Sequence, residues 1–386
     1  MSLIDRFKTK LVDYKETFMD YRIESIILLL NFIPSMAGFS ILNKKNSVIF
    51  WIVHFFLVLY VYVLGSIMYQ VNVADGPIDL IKSYVNLTLV ILIINNSYWF
   101  IVKRATLTKL MENVIENDTQ SHQLDFLKPK HTKLLRTIKI IVYIFYAFNI
   151  LDVIFVYIPR RIDVTNEYYS NVACVGMKPL THFPKKQLCQ LVLFATEISI
   201  CTVVLNYQAL IFFLISHTAA MYRLLCEEIF ALDDDNMDTA TVKKRLVVLI
   251  GRHTLTLTIT KTIKDLYSMP IGINFGSNAI CIILSFALPW EEWVNLSPVY
   301  IYCFLVFFLY CHLCQMLINA SEQFEYAVYS CGWEKFDLKE QKTAYVMLLQ
   351  AQKPVTLLAA DIVPVNIYTF ATTMQAMFKF ITVFKF

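Results

Sequence analysis

Seven runs of the chain, at about 47–69, 83–102, 140–158, 187–216, 266–290, 293–321 and 362–384, carry almost no charged side chain. Each is near the roughly 20 residues a helix needs to cross about 30 Å of hydrocarbon. A backbone inside lipid finds no water to bond, so a run of this kind admits a helix and little else. Composition agrees: 57% of residues are hydrophobic, with 29 Phe and 22 Tyr against 8 Gly, a balance unsuited to a soluble enzyme. The expected class is an all-α membrane protein of seven transmembrane helices. An eighth run, Ser25 to Leu42, is interrupted by Asn31, Pro34, Ser35 and Gly38, which favours a re-entrant or surface helix over a full crossing and leaves both open.

Basic residues set the expected orientation, because cytoplasmic loops retain Lys and Arg. They gather before the first run (Arg6, Lys8, Lys10, Lys15, Arg22, Lys44, Lys45), over 103–136, and over 218–261, whereas the connections at Asp75 to Pro77 and Trp290 to Trp293 have none. The loop from Pro159 to Lys186, with five basic residues, is the exception. The N-terminus is thus expected in the cytoplasm and the C-terminus outside, the reverse of a G-protein-coupled receptor, whose Asp-Arg-Tyr and Asn-Pro-x-x-Tyr motifs are also absent.

The charged N-terminal stretch has no short apolar core with a cleavage site, so no cleaved signal is expected. Of nine cysteines only Cys174 and Cys189 lie where an exterior could oxidise them, which argues against a disulfide framework. The sequons at Asn86, Asn95 and Asn117 fall in spans or on the inner side, and that at Asn295 is followed by Pro298; little glycan is expected. Cys311-His312-x-Cys314 has thiols and an imidazole at short spacing, but neighbours on a helix point about 100° apart, so no metal site is expected. Seven scattered His, no phosphate loop and no nucleophile elbow give an enzyme no support. The cluster Asp233-Asp234-Asp235 reads as a solvated loop. No cofactor and no nucleic-acid partner are expected.

The most specific stretch reads Ala327-Val328-Tyr329-Ser330-Cys331-Gly332-Trp333, then Gln352-Lys353-Pro354, then Thr369-Phe370, closing in an aromatic and aliphatic run to Phe386. This resembles the insect odorant receptor family, in topology and length over the whole chain and most sharply over 315–386. The gustatory relatives usually carry a Thr-Tyr pair and a later Gln-Phe pair; Tyr368-Thr369-Phe370 and Gln375-Ala376 depart from that, which favours the odorant side and leaves a gustatory-type channel as the alternative. The family's co-receptor has a long loop between spans four and five. Here that connection is about forty residues, which fits a tuning subunit.

The resemblance implies an odorant-binding subunit of a ligand-gated, non-selective cation channel. It would sit in the plasma membrane of olfactory sensory neurons among membrane lipids, as a heterotetramer with the co-receptor. It divides the chain into a cytoplasmic N-terminal segment (1–46), a six-helix bundle with the pocket in its outer half (47–321), a cytoplasmic anchor (322–361) and a pore-lining helix (362–386). It implies a hydrophobic constriction at Val383. Helical spacing then puts Thr372, Ala376 (or Gln375), Lys379 and Val383 on one face, either a pore wall or a packing surface. Lys379 departs from the family's small or polar residue; it must snorkel away, or partner subunits must dominate at that level.

Volatile ligands are small, neutral and apolar, and suit a buried cavity with aromatic walls and few polar groups. The positions fitting both that chemistry and the family's pocket are Tyr84, Leu87, Thr88, Tyr146, Asn149, Val153, Phe194, Ile198, Cys201, Tyr300 and Phe304. Asp152 and Glu197 are acids within spans, expensive there and functional candidates by default, as ligand contacts or as structural hydrogen-bond partners. A secondary transporter is the rival from another class, with these acids and the Gly272 and Gly276 break as its coupling site, although no internal repeat supports it.

Overall fold

The computed structural model describes residues 20–41, 48–74, 76–164, 172, 174–178, 180, 183–232, 239–286, 288–353 and 355–384. The basic residues within 1–19, Lys44, Lys45, Asp75, the acidic cluster at 233–235 and Pro354 lie outside them.

The first helix, α1 (Ile23–Met36), has 14 residues, about 21 Å at 1.5 Å per residue and too short for a crossing. It turns back at Gly38, where φ is +91°, and Asn31 Oδ1 fixes the return by accepting from Ser40 Oγ and from the Ile41 amide. Ile23, Ile26 and Leu30 bury one face, and Lys139 donates to Ser25 Oγ at its start. The re-entrant or surface alternative therefore describes this segment.

The apolar runs become α2 (Val48–Asn72), α3 (Pro77–Val102), α5 (Lys128–Asp152), α6 (Lys185–Phe230), α7 (Thr239–Phe286) and α8 (Trp290–Tyr329). Among the described residues these are the six helices long and apolar enough to cross a membrane. The amphipathic α4 (Arg104–His122) lies between α3 and α5. Pro77 at the head of α3 and Pro129 in the first turn of α5 stand where a missing N–H costs nothing. Past α8, Gly332 at φ +71° breaks the helix, and α9 (Leu338–Ala351) follows.

The connection expected over 218–261 is mostly helical. Span four continues through Ala219, Ala220, Met221, Leu224 and Leu225, all buried and all good helix formers, to Phe230, and span five begins at Thr239. The 46 and 48 residues of α6 and α7 make rods of about 70 Å, well over twice the hydrocarbon thickness, so one end of the bundle is a long helical extension. The last run also differs from expectation. Residues 358–364 form a two-stranded hairpin, β1 (Leu358–Ala359) and β2 (Val363–Pro364), and only Ile367–Phe384 is helix, α10.

The core is α6. Leu210 through Ile215 are all buried, as a helix apolar on every side must be. Phe212 meets Phe145 of α5 and Tyr310 of α8 edge-on at 5.1 and 5.2 Å, and Phe100 of α3 meets Tyr207 at 5.8 Å. Polar groups inside are paired across helices. His54 of α2 lies 3.1 Å from Ser97 and 3.2 Å from Ser199, Tyr146 donates to Asn206, and Asn95 donates to Asn274. Asn86, Asn95 and Asn117 are buried, so three of the four sequons present no amide to a glycan. Cys174 and Cys189, the two cysteines singled out for an oxidising side, form one disulfide.

Candidate functional site

At the end of the bundle opposite the helical extension, five helices line a cavity of about 90 Å³. Its walls are Leu89, Leu92 and Ile93 of α3, Ile200, Cys201, Val204 and Leu205 of α6, and Val299 and Tyr302 of α8, with Tyr62 from α2 and Asn149, Asp152 and Val153 from α5. Two of these contributions come from wide π-helical turns, at Leu59–Leu64 and Val153–Tyr157, a local irregularity that shifts the phase of side chains and is frequent at functional sites. The polar groups are few. Tyr62 Oη donates to Glu197 Oε1 at 2.8 Å, so that acid is held just behind the wall, and Asn149 Nδ2 donates to the Phe145 carbonyl at 2.7 Å. Asp152 is half-buried at the rim of the π turn.

Of the thirteen positions expected at a ligand, Asn149, Asp152, Val153 and Cys201 come together on this wall. Glu197 stands behind it, and Tyr146 is buried one turn deeper against Asn206. Thr88 is buried but turns its hydroxyl onto the Tyr84 carbonyl, Leu87 is half-buried, and Tyr300 packs with Val85, Cys281 and Ile282 instead. Tyr84, Phe194, Ile198 and Phe304 are exposed, and Phe304 meets Phe370 of α10 edge-on at 5.6 Å. The expectation weighted aromatic residues; the cavity is built mainly of aliphatic ones. The signal was the helical spacing of Leu89, Leu92 and Ile93, and of Ile200, Cys201, Val204 and Leu205.

At the C-terminal side, α10 packs Thr369, Phe370, Met374 and Met377 against α7 and α8, with Phe370 5.3 Å from Phe307. Its other face holds half-buried Thr372 and uncovered Gln375, Ala376 and Lys379; Val383 falls in its last turn, with its side chain outside the described part. The hairpin ahead of it is fastened to α7. Ser268 Oγ donates to Asp361 Oδ1 at 2.5 Å and accepts from the Asp361 amide at 2.8 Å, while the Ser268 carbonyl accepts from the Ala360 amide at 2.8 Å. Ala360 and Asp361 both have positive φ, 53° and 58°, as a tight primed turn requires. Gly272 lets this turn approach: a Cβ there would lie 2.7 Å from the Ala360 amide nitrogen.

The extension end is held by a buried ionic cluster. Asp118 of α4 accepts from His131 at 2.8 Å and from His217 at 3.1 Å, and Arg252 of α7 pairs with Glu228 of α6. Burial alone would raise the Asp118 carboxyl, but the hydrogen bonds and charges of the two imidazoles outweigh it and hold the group well below the ordinary carboxylate range. Among the described residues no group of three His, Cys, Asp or Glu could hold a metal ion.

The family model described as 7tm Odorant receptor matches residues 77–378, the greater part of the chain. The chain belongs to that family. Odorant receptor 67a of Drosophila melanogaster is 27% identical over 142 residues, 36% of this chain and 35% of that protein, and Odorant receptor 85b of the same fly is 23% identical over 145 residues, 36% and 37%. These matches span little more than a third of the relatives' length. The fold is that of the insect olfactory receptor OR5 from Machilis hrabei, with a TM-score of 0.74 and 14% identity over 96% of this chain and 98% of that one. OR5 in complex with eugenol aligns with a TM-score of 0.71 at 15% identity, over the same shares of the two chains. This odorant-receptor chain is thus a multi-pass, mostly helical membrane protein.

Proposed function

We propose that this chain is the odorant-binding subunit of a ligand-gated, non-selective cation channel in the plasma membrane of olfactory sensory neurons, with a pore shared with the family's co-receptor in a heterotetramer. One observation carries the reading: a small, almost wholly apolar cavity among five helices, one of which, α8, also packs against the terminal helix α10. Such a cavity suits a neutral volatile with at most one or two hydrogen-bonding groups, for which Tyr62, Asn149 and Asp152 are the candidate partners. The distribution of basic loops supports a cytoplasmic N-terminus, and with it a cavity in the outer half of the membrane and an extension that, with α9, serves as the cytoplasmic anchor between subunits.

The cavity's size adds a mechanism. At about 90 Å³ it is smaller than the ~150 Å³ that admits benzene in an engineered protein core, and far below the ~300 Å³ of common ligand clefts. A ligand therefore stabilises a wider arrangement of α3, α5, α6 and α8, and only that difference between states can open a pore. Movement of α7 passes to α10 through Ser268 and Asp361. The uncovered face of α10, with Thr372, Gln375, Ala376 and Lys379, lines the pore with its counterparts, Val383 supplies the hydrophobic constriction, and the Lys379 stem lets its charge turn out of the ion path.

The test is whole-cell current under a panel of neutral volatiles, in cells expressing this chain with and without the co-receptor. A volatile-evoked cation current that needs both chains supports the reading. Proton- or sodium-coupled uptake without such a current replaces it with a transporter.

A further inference from the structure

The polar groups around the cavity differ in what they can still offer a guest. The proton of Tyr62 Oη is committed to Glu197 Oε1 at 2.8 Å, so this hydroxyl retains only its acceptor capacity. Tyr302 lines the cavity, but its hydroxyl is shut in by protein, beyond the reach of a molecule there. Asn149 Nδ2 is committed to the Phe145 carbonyl one turn back at 2.7 Å, and because a carbonyl accepts only from the NH2 end of an amide, this bond fixes which end is which. The opposite end, Asn149 Oδ1, has no partner among the described residues and, unlike Tyr302 Oη, is not shut in by protein, on a side chain that lines the cavity. Asp152 at the rim adds carboxylate oxygens, which only accept, and the Cys201 thiol is a weak donor. The apolar chamber therefore presents acceptors, with its strong N–H and O–H donors turned elsewhere.

We propose that the cavity selects guests that donate a hydrogen bond: small neutral alcohols and phenols, whose hydroxyl gives its proton to Asn149 Oδ1. This assignment rests on the reading of the cavity as the odorant site and narrows it to a chemical class. An ether, ketone or ester of the same size brings only acceptors. Its oxygen would face Asn149 Oδ1 with no proton between them, and both would lose water without replacement, a cost that apolar contact does not return. Transfer out of water alone ranks the classes the other way, because an alcohol gives up more hydration than its isomeric ether. The order expected here is thus opposite to that of a cavity without a directed acceptor.

The experiment is thermal melting of the full-length chain in lipid nanodiscs against butanol, hexanol and octanol, each paired with its isomeric methyl ether and with the methyl ketone of the same carbon count. The concentration dependence of the shift gives Kd. Val204→Phe, which fills the cavity, reports what each compound does through the lipid alone. At one chain length or more, the alcohol is expected to bind at least about tenfold more tightly than its ether and its ketone, and Asn149→Leu to weaken the alcohol and bring the ratio to about one, as the loss of one hydrogen bond implies. The comparison of isomers needs no variant, so it decides the matter even where Asn149→Leu does not fold. An ether or ketone that matches its alcohol at every length, a preference that persists in folded Asn149→Leu, or shifts that are the same in wild type and Val204→Phe overturn the proposal. Equal binding of alcohol and ether that Val204→Phe removes sinks the donor class and leaves the cavity a ligand site, whereas a channel silent to every volatile in the current assay removes the channel reading and leaves the order of binding as measured.

Discussion

Ser268 and Asp361 hold each other reciprocally: the serine hydroxyl donates to the carboxylate and accepts from the same residue's amide, tying the middle of α7 to the turn that leads into α10. Beside them Gly272 is bare where Ala360 crosses. Ninety-three positions separate the two residues, and no pattern in either segment names the other.

Ser268→Ala removes both side-chain bonds and leaves only the Ala360 amide on the Ser268 carbonyl. The expected result is a hairpin that opens more often, with hydrogen exchange at the amides of Ala360, Asp361 and Ile362 accelerated by about tenfold, equivalent to ~1.4 kcal/mol of local stability. Gly272→Ala forces the turn away and gives a larger acceleration, of which Ala360→Gly restores only part because the clash reaches backbone as well as Cβ.

Tyr62→Phe takes away the phenol proton that Glu197 receives inside the bundle. Loss of a buried donor to a carboxyl group costs about 1–3 kcal/mol, so a fall of a few degrees in the melting temperature of the detergent-purified chain is expected, with wild-type yield at lower temperature. An unchanged melting temperature means that the pair contributes nothing.

Asp118 gives a pH dependence with a definite sign. Its carboxyl is depressed on folding, so its contribution is complete above the unfolded value near 4 and is lost as pH falls through the lower folded value. Asp118→Asn, which leaves His131 and His217 without their shared carboxylate, is expected to cost about 3–5 kcal/mol at neutral pH. The gap between wild type and variant in thermal unfolding is expected to begin narrowing below about pH 4 and to close as pH falls through the lower folded value.

The Cys174–Cys189 bridge ties the segment ahead of α6 to the start of that helix, across a sequence separation of 15. Chain-entropy reasoning gives such a loop about 3 kcal/mol, so Cys174→Ala is expected to lower the melting temperature by several degrees and to make it insensitive to reductant, whereas the wild type responds to reductant. A wild type that ignores reductant under denaturing titration contradicts the bridge.

The crossings are legible in the sequence because lipid leaves the backbone no alternative, and the turn after α1 is legible because Gly38 follows it; Pro34, by contrast, is carried inside the helix. The helical extension is not legible from charge alone, because a basic stretch suits a loop and the wet face of a helix outside the membrane equally, and Lys243 and Lys244 stand exposed on such a face. Nine of the thirteen cavity-lining residues are not marked by their residue type, for another reason. Tyr84 and Phe194 are aromatic, as a ligand wall should be, yet an aromatic side chain is equally at home in lipid, and only the phase of each helix, shifted at the π turns after Val58 and Asp152, decides which side chains point inward. Pairings such as Tyr62 with Glu197 depend on tertiary packing and leave no trace in either segment.

The most direct test of the central claim is a concentration–response curve for an activating volatile in cells co-expressing the co-receptor with either wild type or Val204→Phe, a variant that puts a ring into a cavity of about 90 Å³. At matched surface expression, the half-maximal concentration is expected to rise at least about tenfold or the response to vanish, as loss of the binding volume requires. An unchanged curve for a folded, surface-expressed Val204→Phe chain would contradict the assignment of this cavity as the odorant site.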